Sequence, residues 1–157
     1  MERQQRGNLP WQTIQHILLT TDFSDEKGSV IEKAIELQQQ NGAKLSLIHV
    51  VEYSGTMYTG EIPLPEDLNL DQRIAEQAEI KLEQLAERHQ LSESTRFVEI
   101  GTPKREIIRI ANDQDADLIV IGSHGRHGLQ LLLGSTANGV LHLAPCDVLA
   151  VRVGKGS

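Results

Sequence analysis

Aromatic residues are nearly absent, with one tryptophan, two tyrosines and two phenylalanines among 157 residues. Aliphatic side chains must therefore fill the interior, and an array of rings on which nucleic-acid bases could stack is not available. Cysteine is rarer still. The lone Cys146 cannot close an intrachain disulfide, which suits a reducing compartment. No apolar run approaches the roughly 20 residues of a membrane-spanning helix. The first ten residues are polar, include Arg3 and Arg6, and lead into no apolar segment of the secretory type. Positive charge is in deficit: 15 Lys and Arg against 22 Asp and Glu leave a formal net charge of −7. That balance argues against nucleic acid or an anionic membrane as partner, while a local basic pocket for phosphate remains compatible with it. The expectation is a cytoplasmic protein of one domain, long enough to build a substantial core.

What the chain has instead is glycine in one place. Gly122-Ser-His-Gly125-Arg-His-Gly128 follows the most apolar run, Leu118 to Ile121, and leads through Gly134-Ser135 into a helical segment. A glycine-rich loop between a buried strand and a helix start lets a ligand approach the main chain, and offers unpaired N–H groups and the positive end of a helix to an anion. Phosphate is the natural guest. The loop is neither a Walker A motif, since Gly134 and not Lys precedes Ser135, nor a dinucleotide fingerprint, since no Gly-x-Gly-x-x-Gly occurs. Without a ligand the same glycines would serve only as turns and a helix start.

Around this loop the pattern alternates. Residues 1–12 read as a flexible N-terminal arm, residues 13–153 as the folded domain and residues 154–157 as a flexible tail. His16 to Thr20 predicts a first strand, Lys44 to Val50 a second, Thr95 to Ile100 a third, Leu118 to Ile121 a fourth and Val148 to Val153 a fifth. Ser24 is a candidate N-cap for a helix ending before Gly42, with Val30, Ala34 and Leu37 on its inner face. Leu70 to Gln90 predicts the longest helix, and its charges from Glu76 to Arg88 read as ordinary surface pairing. Between them, Glu52 to Asn69 is a long connection, with Tyr53, Met57 and Tyr58 as its packing residues. Thr102-Pro103 opens a helix that buries Ile107, Ile110 and Ala111, and Ser135 to Leu143 a last one with Val140 and Leu141 inward.

This alternation predicts a doubly wound α/β sandwich on a five-stranded parallel sheet. Ligands in such folds sit beyond the carboxyl ends of the strands where the winding direction reverses. Two strand ends carry unusual chemistry, Thr21-Asp22 after the first and the glycine loop after the fourth, so the switch point is expected between those two strands. Asp22 could accept from a ribose hydroxyl or an adenine amine, or could simply turn the chain. Arg126 could meet a terminal phosphate or be a solvated loop charge. His124 and His127 lack a third ligand for zinc, and His142 with Cys146 lacks an orienting group for nucleophilic catalysis.

The segments Thr21-Asp22-Phe23-Ser24, Leu47-Ile-His49-Val50, Asp117-Leu-Ile-Val-Ile-Gly122 and Gly134-Ser135 through Pro145-Cys-Asp-Val148-Leu-Ala-Val151 resemble the universal stress proteins over nearly the whole folded part. The resemblance implies a Rossmann-like fold of the adenine nucleotide alpha hydrolase-like kind and a homodimer joined through the last strand, here Val148 to Val153. One branch of that family binds ATP with a divalent metal. There, the residues matching Asp22 and those around Val50 hold the adenosine, and those matching Gly122, Gly125, Gly134 and Ser135 hold the phosphates. Thr21, His124, Arg126 and Thr136 flank these positions and complete the expected cofactor-binding set, with Mg²⁺ carried by ATP oxygens and water and not by protein ligands. The nucleotide binders place nine residues between the second and third of these glycines, whereas eight, Arg126 to Leu133, stand here. The Tyr58-Thr59-Gly60 segment is more similar to a branch not regarded as binding ATP. Neither a general base nor a Walker lysine is evident, so ATP hydrolysis is at most slow.

Overall fold

A computed structural model of the chain describes residues 13–25, 27–52, 65–123 and 134–153. The expected N-terminal arm, the packing of Tyr53, Met57 and Tyr58, and the C-terminal tail fall outside these residues. The elements are β1 (His16–Thr20), α1 (Ser29–Asn41), β2 (Lys44–Val51), α2 (Pro65–Arg88), β3 (Thr95–Ile100), α3 (Pro103–Asp113), β4 (Leu118–Gly122), α4 (Ser135–Leu143) and β5 (Asp147–Val151). All strand pairs are parallel, in the order β3-β2-β1-β4-β5. The winding direction reverses between β1 and β4, where Ile17 pairs with Leu118 and Leu19 with Val120. The expected architecture and its switch point are therefore both present.

The strand pleat sorts the aliphatic residues into two cores. Ile17, Leu19, Leu45, Leu47, Leu118 and Val120 face one side, against Val30, Ile31 and Ala34 of α1 and Leu82 and Ala86 of α2. Leu18, Ile48, Ile119 and Ile121 face the other, against Ile107, Ile110 and Ala111 of α3 and Ala137 and Val140 of α4. Because β1 and β4 are covered on both faces, they are apolar without alternation. Leu141 departs from the expectation. It is 40% exposed, since only Val140 and Ala137 of the short α4 reach the sheet.

Helix ends hold further corrections. The helix after β1 starts at Ser29, not after Ser24, and its N-cap is Gly28 in the left-handed region at φ 74°. Asp25 does the capping from outside: its carboxylate accepts the N–H of Ser29 at 3.1 Å and of Val30 at 2.8 Å. Thr102 precedes Pro103 at the start of α3 but makes no side-chain capping bond. α2 begins at Pro65, five residues before the expected start, and β5 ends at Val151 and not Val153.

At the amino end of the sheet, buried His16 ties three segments together. Its Nδ1 lies 2.9 Å from the Gln114 carbonyl, which can only accept, so Nδ1 carries the proton and Nε2 accepts from Ser46 Oγ at 2.8 Å. The Asp117 carboxylate meanwhile accepts the N–H groups of Gln15 and His16 at 2.9 and 2.8 Å. Burial lowers the His16 pKa below its ordinary value and Lys44 adds to the effect, partly opposed by the Gln114 bond and by Asp117 and Asp115.

Candidate functional site

The carboxyl end of β1 is shaped by three residues bonding to their own neighbours. Thr21 continues the sheet, its N–H donating to the Ile48 carbonyl at 3.0 Å, while its Oγ1 accepts from the N–H of Phe23 at 3.0 Å. Asp22 Oδ1 accepts the N–H of Ser24 at 2.9 Å and also the Ser24 hydroxyl. This double turn forces Phe23 to φ 65°, a left-handed conformation that a bulky residue adopts at a cost of about 1–2 kcal/mol. Its ring leans on His49, with centroids 4.4 Å apart. His49 Nδ1 lies 2.7 Å from the Thr21 carbonyl, which again identifies Nδ1 as the protonated nitrogen. The turn at Asp22 thus exists as the sequence allowed, and it engages Oδ1 of the carboxylate.

Across the switch point, β4 runs to Gly122, which pairs with Val151. Ser123 then closes the base of the glycine-rich segment. Its N–H donates to the Val151 carbonyl at 2.8 Å, and its own carbonyl accepts the Gly134 N–H at 2.7 Å. Residues 123 and 134 are thereby brought together at the start of α4, whatever lies between them. The Ser123 Oγ is buried and has no hydrogen-bond partner among the described residues. In α4 the first intrahelical bond runs from the Asn138 N–H to the Gly134 carbonyl, so the N–H groups of the first turn lack partners within the helix. No acidic residue occupies that turn, which leaves the positive helix end unneutralised.

These strand ends open on one cavity of about 960 Å³. Thr21, Asp22, Val50, Gly122, Gly134, Ser135 and Thr136 all line it, so seven of the expected cofactor-binding residues share one space. His124, Gly125 and Arg126 lie outside the described residues. The arrangement offers the carboxylates of Asp22, Asp25 and Glu52, the hydroxyls of Thr20, Thr21, Ser24, Ser135 and Thr136, a helix N-terminus and apolar walls from Ile107 and Val50. That donor set suits a phosphorylated ligand with a polar hydroxylated body. Among the described residues no cluster of three His, Cys, Asp or Glu side chains is placed to hold a metal.

Sequence reading overlooked four contributors. Phe23 and His49 form the aromatic wall, and Lys81 and Arg88 of α2 line the same cavity. Lys81 Nζ stands 5.7 Å from the Phe23 ring centroid, and neither cation pairs with a carboxylate among the described residues, so the expected surface pairing does not extend to them. Their seven-residue spacing was the available signal, uninformative until the cavity was placed beside α2. His142 is exposed and does not line the cavity, and no described helix is long and apolar enough to cross a membrane.

Comparison with known proteins converges on one group. The model of the universal stress protein family matches residues 13–152. Universal stress protein A homolog 1 of Coxiella burnetii is 41% identical over 137 residues, spanning 87% of this chain and 95% of its own. The structure of the hypothetical protein MJ0577 superposes with a TM-score of 0.76 at 25% identity, over 92% of this chain and 99% of that one. A universal stress protein crystallised in complex with cAMP superposes with a TM-score of 0.64, over 90% of this chain and 99% of its own. At 19% identity, that last likeness speaks for the fold alone.

Proposed function

The chain belongs to the universal stress protein family, and from that premise we propose that it is a regulatory binding protein that holds an adenine nucleotide, ATP with Mg²⁺, at the β1–β4 switch point. One observation carries the reading. Asp22 at the end of β1 and the unneutralised start of α4, with Gly122, Gly134, Ser135 and Thr136, meet on a single cavity. The α4 hydroxyls and N–H groups would receive phosphate, and Asp22, whose Oδ2 is not used by the Ser24 turn, would receive a ribose hydroxyl or the adenine amine. Mg²⁺ would be held by phosphate oxygens and water.

Association through β5 accompanies the reading. β5 is an edge strand whose Val148 to Val151 are half-buried, and exposed Leu141 and Leu143 stand just before it in the chain. A second copy would cover both. The eight-residue spacing between Gly125 and Gly134 favours a second reading, in which the protein works through dimerisation and protein contacts without nucleotide.

Thermal unfolding with and without Mg-ATP separates them. At 100 times Kd the ligand adds about 2.7 kcal/mol, a rise in Tm of about 5–10 °C for a domain of this size. The control is Ser135→Glu, which places an anion where phosphate would sit while suiting the helix start electrostatically. A rise in the wild type that this variant lacks supports the nucleotide site; no rise at millimolar ATP moves the assignment to the interaction protein.

A further inference from the structure

The proposed nucleotide contacts use one side of the cavity. The other side is walled by α2, whose Ile74, Lys81, Leu85 and Arg88 all face the same space. These positions recur at intervals of seven, four and three residues, one stripe of a 3.6-residue helix. α2 also sorts its charge by this geometry. Ala78, Leu82 and Ala86 form its buried face. Glu76, Glu79, Glu83 and Glu87 follow one another three and four residues apart along one flank, where Glu79 and Glu83 border a separate groove with Arg96. Lys81 and Arg88 stand on the opposite flank, toward the cavity. In a chain of net charge −7, these two cations lack carboxylate partners among the described residues and line the cavity at the switch point.

Arg88 alone has an ordinary explanation, since a cation in the last turn of a helix complements its negative end. Lys81, two turns earlier, has no such role. Its ammonium is carried over the ring of Phe23 at 5.7 Å, and that ring is fixed by the left-handed backbone at φ 65° and by His49. Phe23 directly follows Asp22, and the carboxylate assigned to the ribose lines the same cavity as the cation. The cavity of about 960 Å³ lies at the upper end of the roughly 300–1,000 Å³ typical of ligand pockets, which leaves room for a second group beside a mononucleotide.

Resting on the nucleotide reading above, we propose that Lys81 and Arg88 form a second anion subsite, and that the preferred ligand is a nucleotide carrying a phosphate on its ribose in addition to its 5′ phosphate. The α4 end of the cavity takes one phosphate and the α2 flank takes the other, with Asp22 and Phe23 between them. Such a ligand is distinguished from a plain mononucleotide by charge at the ribose and not by the base.

The test is calorimetric titration of the full chain with AMP and with adenosine 3′,5′-bisphosphate at fixed ionic strength. The bisphosphate should bind about tenfold more tightly, as one additional charge-assisted contact allows. In Lys81→Gln/Arg88→Gln that preference should collapse toward one, whereas Arg105→Gln, which removes an exposed cation of α3 outside the cavity, should keep it. Equal affinities in the wild type, or a preference that survives the double substitution, overturn the subsite while leaving AMP binding in place. If neither compound binds at millimolar concentration while Mg-ATP does, the subsite alone falls; if Mg-ATP also fails to bind, the nucleotide reading falls with it.

Discussion

Acidification should weaken the fold through His16, and the direction is fixed by its hydrogen bonds. In the folded chain Nε2 must stay unprotonated to accept from Ser46 Oγ, because Nδ1 is committed to the Gln114 carbonyl. Burial lowers the folded pKa below the ordinary value of 6.5, so the unfolded chain binds more protons than the folded one wherever the pH lies between the two values. The stabilisation by neutral His16 is therefore fully present above about pH 6.5. It is lost as pH falls through the folded pKa. Replacing His16 by Ala at pH 7.5 orphans Ser46 Oγ and the Gln114 carbonyl, each costing about 1–3 kcal/mol if it stays dry. Ser46→Ala alone should cost less, and the double variant should cost less than the two singles summed, because the orphaned hydroxyl is gone. Urea unfolding of wild type and the non-titrating His16→Gln between pH 7.5 and 5 isolates the effect from the carboxylates, which both chains share. The stability difference between the two should shrink as pH falls below 6.5. A difference that is constant or grows over that window refutes the assignment of the proton to Nδ1 and of a neutral folded ring.

Other expectations follow from single side chains. Leu82→Ala, fully buried between α2 and the sheet, should cost about 2–5 kcal/mol in chemical denaturation. Asp25→Ala should cost about 0.5–2 kcal/mol and raise hydrogen exchange in the first turn of α1, since the carboxylate caps Ser29 and Val30; unchanged exchange there would contradict its capping role. Gly28→Ala should cost about 1–2 kcal/mol because the left-handed φ of 74° is unfavourable for any L side chain, although the added methyl meets nothing closer than 3.6 Å. Val151→Asp should convert a dimer at micromolar concentration to monomer in sedimentation, and an unaltered mass would remove β5 as the interface.

Much of the fold was legible because its signals are local. The apolar runs at Ile17 to Leu19 and Leu118 to Ile121 could belong only to strands covered on both faces, and the alternation of elements led to the reversal between β1 and β4. The errors arose where a local signal had a competitor. Ser24 looked like a cap, but its N–H and hydroxyl are taken by Asp22, and Asp25 reaches forward to cap Ser29 instead. Leu141 fits an apolar face, yet nine residues of α4 bring only Ala137 and Val140 into the core. For the site, Thr21, Asp22, Gly122, Gly134 and Ser135 were visible as strand ends and a loop. Lys81 and Arg88 were not, because periodicity tells which residues share a flank of α2 and not what that flank faces.

The central claim, that the switch-point cavity holds adenine nucleotide, is tested most directly by equilibrium dialysis of Mg-ATP against the wild-type chain and Ser135→Glu. The account predicts saturable binding near one nucleotide per chain in the wild type and a loss of at least about tenfold in affinity in the variant, the scale of one reversed charge-assisted phosphate contact. Absence of saturable binding at millimolar ATP, or equal binding by the variant, would contradict it.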